Sequence, residues 1–424
     1  VDFLNQILKF PTRRRREIGS VVKSVLRIKG EASAIKLAHE ILQRYEEFDD
    51  EAKLAFFRLL RDELGPDEAK LNDAISAYRS EPGDNSYLEL LAAVEPPRQD
   101  LIRILNWAPQ GTSSLIAMRA DLLRCMREDK ELKVVDHDFR HLLTSWFNRG
   151  FLELRRISWN TPAFILEKLI HYESVHEITD WRDLQRRLAS DRRCFAFFHP
   201  QLRDEPLIFV EVALTKGLVT NIDDVLRDPT PDDAAESTTP DTAIFYSINN
   251  CQVGLQGISF GNFLIKQVAD ELAEEISSLK HYATLSPIPG LRRWLDPIRR
   301  IGLDDGLTRD EYDQLAVLDR PQWWQDPELT AALEPVMRKA CARYLLEEKR
   351  GDEPADPVAR FHLSNGARIE QINWLGDSSE QRIEQSYGML VNYVYDRRSV
   401  IKNHEEYVAK GRVAASSAVA AGLK

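Results

Sequence analysis

A chain of 424 residues, 43% hydrophobic and 29% charged, is a folded globular protein too long for one ordinary core, so two domains are expected. Its formal net charge of −11 argues against a nucleic-acid partner, which needs a basic face, yet leaves room for a phosphate-bearing small molecule held by a local group of cations and N–H donors. The four cysteines (Cys125, Cys194, Cys251 and Cys341) are scattered, with no Cys-x-x-Cys, which speaks against a disulfide framework or a zinc–thiolate site and for a reducing compartment.

From about residue 22 to 147 the sequence reads as helix after helix. Ile35, Ala38, Ile41, Leu42 and Tyr45 recur at helical spacing, as do Leu54, Phe57, Leu59 and Leu60, then Leu101, Ile104 and Leu105, then Leu122, Leu123 and Met126. Gly65-Pro66, Glu81-Pro82-Gly83-Asp84 and Glu95-Pro96-Pro97 punctuate the run, so short links and antiparallel packing into a bundle are expected. After Gly150 the character changes. Cys194-Phe195-Ala196-Phe197-Phe198, then residues 207–214, then Ala243-Ile244-Phe245-Tyr246-Ser247-Ile248, and part of 387–395 read as strands. The polar, proline-containing stretch from Asp228 to Pro240 reads as a surface loop, and 262–278 as an amphipathic helix. Residues 414–421 are small and suit a helical end or a frayed tail. The expected fold is α+β in two domains: an all-α bundle over 1–149, with a structural or oligomerisation role, and a mixed α/β catalytic domain over 150–424. No stretch approaches the roughly 20 apolar residues of a membrane span. The start, Val1-Asp2-Phe3-Leu4, lacks a signal-peptide core, and the end is no Ser-Lys-Leu address. The expected setting is the cytoplasm, or the mitochondrial matrix if a transit segment has been removed, with no membrane partner.

Several familiar signatures are absent from the sequence: Gly-x-Ser-x-Gly, a phosphate-binding P-loop and a dinucleotide fingerprint. His137 and His141, four apart beside Asp136 and Asp138, have the spacing of a metal pair on a helix, but without a third ligand nearby a polar helix surface is the better reading and no metal is expected. The basic run Arg13 to Arg16 suits a solvated helix start or a subunit contact more than an anionic partner. Three stretches carry candidate chemistry. Gln256, Gly257, Ile258, Ser259, Phe260, Gly261 and Asn262 follow a strand and open a helix, where unpartnered N–H groups favour an anion; a plain strand-to-helix turn explains them equally well. In Leu285-Ser286-Pro287-Ile288-Pro289-Gly290 the proline after Ser286 restricts it to extended geometry at a strand end; the alternative is a rigid turn with an incidental hydroxyl. His362, between Phe361 and Leu363, is a core histidine or a catalyst, and the Ser364-Asn365-Gly366 turn signal places it near a strand end.

Taken in order, these stretches resemble a known family. The loop at 256–262 is similar to the coenzyme A pyrophosphate loop of the GNAT-like acetyltransferases, with Ser259 where that pattern has its first glycine. Gly254-Leu255-Gln256-Gly257, Gly261-x-Phe263-Leu264-Ile265-Lys266, the Ser286-Pro-Ile-Pro-Gly motif, Phe361-His362-Leu363-x-Asn365-Gly366-Ala367, Ile372-Asn373-Trp374 and Asn392-Tyr393-x-Tyr395 together resemble the malonyl-CoA decarboxylases, from about residue 143 to 395. The resemblance implies a GNAT-like acyl-CoA-binding domain behind a helical one. It also implies conversion of malonyl-CoA to acetyl-CoA and carbon dioxide without biotin, metal or other cofactor, and a homo-oligomer, dimer or tetramer. By the same resemblance Ser286, His362 and Tyr395 are the catalytic candidates, and residues 256–262 the coenzyme A contact. Some members carry a glutamate where this chain has Ser259. The rival expectations are a GNAT-like N-acyltransferase and a non-catalytic malonyl-CoA sensor.

Overall fold

The computed structural model describes residues 26, 28, 30–228, 239–258, 264–301 and 306–423. The chain divides into two compact units. The first takes Val1–Glu153, Phe198–Leu207 and Asn250–Gly261, and the second Leu154–Phe197, Ile208–Asn249 and Asn262–Lys424. Among the described residues no helix is long and apolar enough to cross a membrane.

The first unit contains α1 (Glu31–Glu46), α2 (Asp50–Asp62), α3 (Glu68–Ser80), α4 (Asp84–Val94), α5 (Pro97–Asn106), α6 (Gly111–Cys125) and α7 (Lys133–Trp146). Their starts follow from local chemistry: Asp49 and Asp67 accept backbone N–H bonds of the first turns of α2 and α3, and Pro97 opens α5 where its missing N–H costs nothing. Ala34, Ala38, Leu42 and Tyr45 line the buried side of α1, and Phe56, Phe57, Leu59 and Leu60 that of α2. Two arginine–carboxylate pairs are sunk into this bundle, Arg98 with Asp138 and Arg119 with Asp136. The α3–α4 hairpin differs: α3 buries only Ala74 and α4 nothing, leaving Tyr78, Tyr87, Leu88, Leu91 and Val94 exposed.

The second unit is built on a mixed sheet. Its elements are β1 (Glu153–Ile157), α8 (Ala163–Tyr172), α9 (Trp181–Arg187), β2 (Arg192–Phe198), β3 (Ile208–Thr215), α10 (Asp223–Leu226), β4 (Thr242–Asn250), α11 (Leu264–Glu275), β5 (His281–Thr284), β6 (Ser286–Pro287), α12 (Leu291–Ile301), α13 (Arg309–Leu315), α14 (Pro327–Leu346), a ribbon of β7 (Lys349–Arg350) and β8 (Glu353–Pro354), α15 (Pro357–Ser364), β9 (Arg368–Asn373), α16 (Glu380–Ser386), β10 (Leu390–Val394), α17 (Val400–Lys410) and α18 (Ser417–Ala421). The strand order is β1-β2-β3-β4-β5-β10, with β9 and β6 also on β10. β4 and β5 are parallel, joined across α11, and their register runs from Thr242↔His281 to Phe245↔Thr284. β5 and β6 are one broken strand, since Ala283 faces Val394 of β10 and Ser286 faces Val391. Ala283 and Leu285 enter an apolar core with Ala213, Ile244, Tyr246 and Leu390. Side chains alternate along a strand, so Thr284 and Ser286 project from the other face.

The apolar runs expected at 194–198, 207–214 and 243–248 are β2, β3 and β4, and the late strand is β10. The expected helix at 262–278 is α11; its first two positions, the core of the 228–240 loop and the Arg13–Arg16 run lie outside the described residues. The small-residue tail contains α18, held by Ser416, which caps it and bonds Glu370 O at 2.7 Å.

Candidate active site

Ser286 is placed by three constraints. Pro287 restricts its backbone, β10 pairs with it through Val391, and its Oγ lies 2.8 Å from Thr284 Oγ1. Thr284 is itself pinned, because its Oγ1 accepts the Tyr393 N–H at 3.2 Å and its carbonyl accepts the Asn392 amide at 2.8 Å. Asn392 in turn accepts from Asn373 on β9 at 2.8 Å.

The sequence expectation for His362 needs a correction: it sits on a helix, α15, and not at a strand end. Asp356 caps that helix, accepting from Val358 N and Ala359 N at 2.9 Å each, and Pro357 occupies the first turn. The Asn365-Gly366 turn ends the helix instead of a strand. Gly366 has φ +82°, and the Ala367 and Gly366 N–H groups return to the carbonyls of His362 and Leu363 in a Schellman closure. The imidazole is buried, stacked on the Tyr393 ring at 4.5 Å and 25°. Its Nε2 lies 3.1 Å from Ser286 Oγ and its Nδ1 2.8 Å from the Tyr395 hydroxyl.

Burial fixes the charge state. It pushes the His362 pKa down to about 3 and the Tyr395 phenol far above its usual range, so the pair is neutral at working pH. A consistent polarity for the chain is Tyr395 O–H to Nδ1, Nε2–H to Ser286 Oγ, and Ser286 O–H to Thr284 Oγ1. The tautomer with Nε2–H is assigned from this network. Tyr395 has a second role in the geometry. Its ring lines a groove of about 350 Å³ between α11 and α17, with Lys266, Tyr282, Arg397 and Val400 among the walls, and an adjoining cavity adds Asn365 and His404. Arg397 lies over the Tyr282 ring at 5.4 Å and pairs with Asp270 at 3.2 Å. One tyrosine therefore joins a buried hydrogen-bonded chain to an opening lined by Lys266, Arg397 and Asp270.

The structure brings Ser286, His362 and Tyr395 together. The remaining candidates lie elsewhere or outside the described residues. Ser259, Phe260, Gly261 and Asn262 are not among the described residues. Gln256, Gly257 and Ile258 follow a short 3-10 turn of the first unit, and Gly257 has φ +75°. The N–H groups of Gln256 and Ile258 are spent on Val253 O and Leu255 O, while Arg119 and Arg140 hold the carbonyls of Gln256 and Gly257. His137 and His141 are exposed on α7, whereas Asp136 and Asp138 point inward to Arg119 and Arg98, since neighbours on a helix diverge by about 100°. Among the described residues no three His, Cys, Asp or Glu side chains gather as a metal site.

Thr284, Tyr393 and Asp356 are site residues that sequence reasoning missed. Thr284 was within reach of the two-residue period of a strand ending at Ser286, and Asp356-Pro357 is a helix-start signal.

Comparison with known proteins agrees across both halves of the chain. Residues 150–424 match the family described as malonyl-CoA decarboxylase C-terminal domain, and residues 64–147 the one described as malonyl-CoA decarboxylase N-terminal domain. The chain is 34% identical over 349 residues to the mitochondrial malonyl-CoA decarboxylase of Mus musculus, covering 77% of this chain and 71% of that protein. With its counterpart from Anser anser anser it shares 33% over 346 residues, covering 76% and 69%. The crystal structure of malonyl-CoA decarboxylase from Rhodopseudomonas palustris superposes with a TM-score of 0.90 at 47% identity, over 96% of this chain and 98% of that one. That from Cupriavidus metallidurans gives 0.74 at 34% identity, over 97% and 100%. On these grounds the chain belongs to the malonyl-CoA decarboxylase family of carboxy-lyases.

Proposed function

We propose that this chain cleaves malonyl-CoA to acetyl-CoA and carbon dioxide with Ser286 and His362 as a proton-handling pair and Tyr395 as their link to solvent. The observation that carries the reading is the unbroken line of hydrogen bonds from Ser286 through His362 to Tyr395. In the reaction the bond between the α-carbon and the carboxylate breaks, and its electron pair moves into the thioester carbonyl. Carbon dioxide leaves, the enolate re-forms the carbonyl, and the α-carbon takes one proton. The thioester is the electron sink, so the reading calls for no biotin, metal or other cofactor. Ser286 donates to the carbon and recovers its proton from Nε2, Tyr395 supplies Nδ1, and the phenol is replenished from the groove. A neutral imidazole suits this role: the proton passes by a change of tautomer, without a buried imidazolium. Lys266 and Arg397, the latter shared with Asp270, are the cations beside the groove that a phosphate-bearing ligand would meet. The pyrophosphate is assigned, on sequence grounds, to residues 257–262 ahead of α11, less the Ile258 N–H that Leu255 O already takes.

The test is carbon dioxide release from malonyl-CoA alone. Ser286→Ala and His362→Asn are each expected to lower kcat by about 10²–10⁴-fold, with coenzyme A binding retained. Full activity in either variant sinks the pair. Release without an amine acceptor also separates this reading from an acyltransferase, and turnover separates it from a sensor.

The exposed apolar side of the α3–α4 hairpin supports a second copy of the chain as its cover, a homo-oligomer. The four cysteines are separate buried thiols, which fits the cytoplasmic or matrix setting proposed for the chain.

A further inference from the structure

The Ser286–His362 distance of 3.1 Å joins two separate pieces of chain, the strand end at Ser286 and the helix α15. One buried side chain touches both. Asp356 is 1% exposed. Its Oδ1 accepts the first-turn N–H groups of α15, six residues before His362 in the chain. Its Oδ2 accepts the N–H of Gly290, the last residue of the turn that Ser286 begins, at 3.4 Å. Gly290 has no room for a side chain there: a Cβ would stand 1.9 Å from the Tyr344 hydroxyl and 3.5 Å from Asp356 Oδ2. The contact therefore depends on the turn lying directly against the cap. Capping alone needs one oxygen; here each oxygen holds a different element.

The geometry points to Asp356 as a positioning residue that sets the separation of Ser286 and His362 through its two carboxylate oxygens. This rests on the Ser286/His362 reading. A shift on the order of 1 Å between reacting groups is enough to cost about 10²-fold in rate, so loosening one arm has a catalytic effect out of proportion to its effect on folding.

Asp326 provides an internal control. It caps α14 in the same way, accepting from Glu328 N and Leu329 N ahead of Pro327, and belongs to no part of the site. Asp356→Asn and Asp356→Ser both keep a capping oxygen for α15. The first turns an amide towards the Gly290 N–H, and the second removes the second arm altogether. Both are expected to lower kcat on the order of 10–100-fold with KM for malonyl-CoA little changed, and to move the His362 ring-nitrogen resonances in ¹⁵N-histidine-labelled full-length protein. Asp326→Asn is expected to leave kcat and those resonances as in the wild type. Wild-type kcat in a folded Asp356 variant, or an equal loss of kcat in Asp326→Asn, overturns the assignment. If one Asp356 variant fails to fold, the other decides. Ser286→Ala and His362→Asn, run alongside, separate the two failures: their inactivity with a fully active Asp356→Asn refutes only the positioning role.

Discussion

Thr284→Val is the most informative single change at the centre of the site. Thr284 is fully buried, and valine matches its shape while removing the oxygen that holds Ser286 Oγ and accepts the Tyr393 N–H. The bond to Ser286 is worth about 0.5–1.5 kcal/mol net, and its loss frees the hydroxyl to leave the rotamer that faces His362. At about 1.4 kcal/mol per factor of ten, the productive population and kcat fall by roughly two- to tenfold, with KM nearly unchanged. The abandoned Tyr393 N–H costs about 1–3 kcal/mol of stability. Carbon dioxide release and urea unfolding, measured on the same samples, read the two effects separately, and Thr284→Ser should restore both in large part. Wild-type kcat in a measurably destabilised Thr284→Val protein would refute the view that this threonine orients Ser286.

The remaining expectations concern pH and assembly. His362 and His176 are both buried with pKa values pushed down to about 3, by burial alone at His362 and by burial with Arg382 and Arg187 at His176. Below about pH 6.5 the unfolded chain therefore binds protons that the native chain refuses, and stability falls as pH drops towards 3 by up to about 1.4 kcal/mol per pH unit for each histidine. Urea midpoints at pH 7 and pH 5 check this: His362→Asn should lose less than the wild type, and equal losses would contradict the buried-neutral state. For assembly, Leu88→Asp with Leu91→Asp should lower the sedimenting mass while leaving the fold intact, and an unchanged mass would remove the α3–α4 hairpin from the interface.

How much of this was legible in the sequence varies with the local chemistry. β2, β3 and β4 lie inside the sheet, and their continuous apolar runs declare them. β1 reads Glu153-Leu154-Arg155-Arg156-Ile157 with only Ile157 buried, so no apolar run marks this edge strand. β9 is polar in sequence and owes its place to pairing with β10 and to the Asn373–Asn392 bond, which no single-chain pattern reveals. Apart from the small-residue tail that contains α18, the helices after Gly290 went unread, and prolines obscure two of them, Pro297 within α12 and Pro335 within α14, where proline ordinarily speaks against helix. At the site, Ser286 and His362 stood out by motif, but the same Asn-Gly signal ends strands and helices alike, which misplaced His362. Thr284 and Asp356 carry local signals, a strand period and a helix cap, but their contacts with Tyr393 and Gly290 join residues distant in sequence, and composition carries no trace of those.

The helix that bears His362 spans only eight residues, and Ser286 lies 76 positions away along the chain. So short a helix does not persist in water by itself, and a contact across such a separation carries the loop-closure entropy of everything between. The proposed Ser286–His362 pair therefore owes its geometry to long-range packing, while most of the helical signal comes from longer segments elsewhere. Partial unfolding would silence the enzyme before circular dichroism registered much change, so activity is the more sensitive gauge of whether this protein is intact.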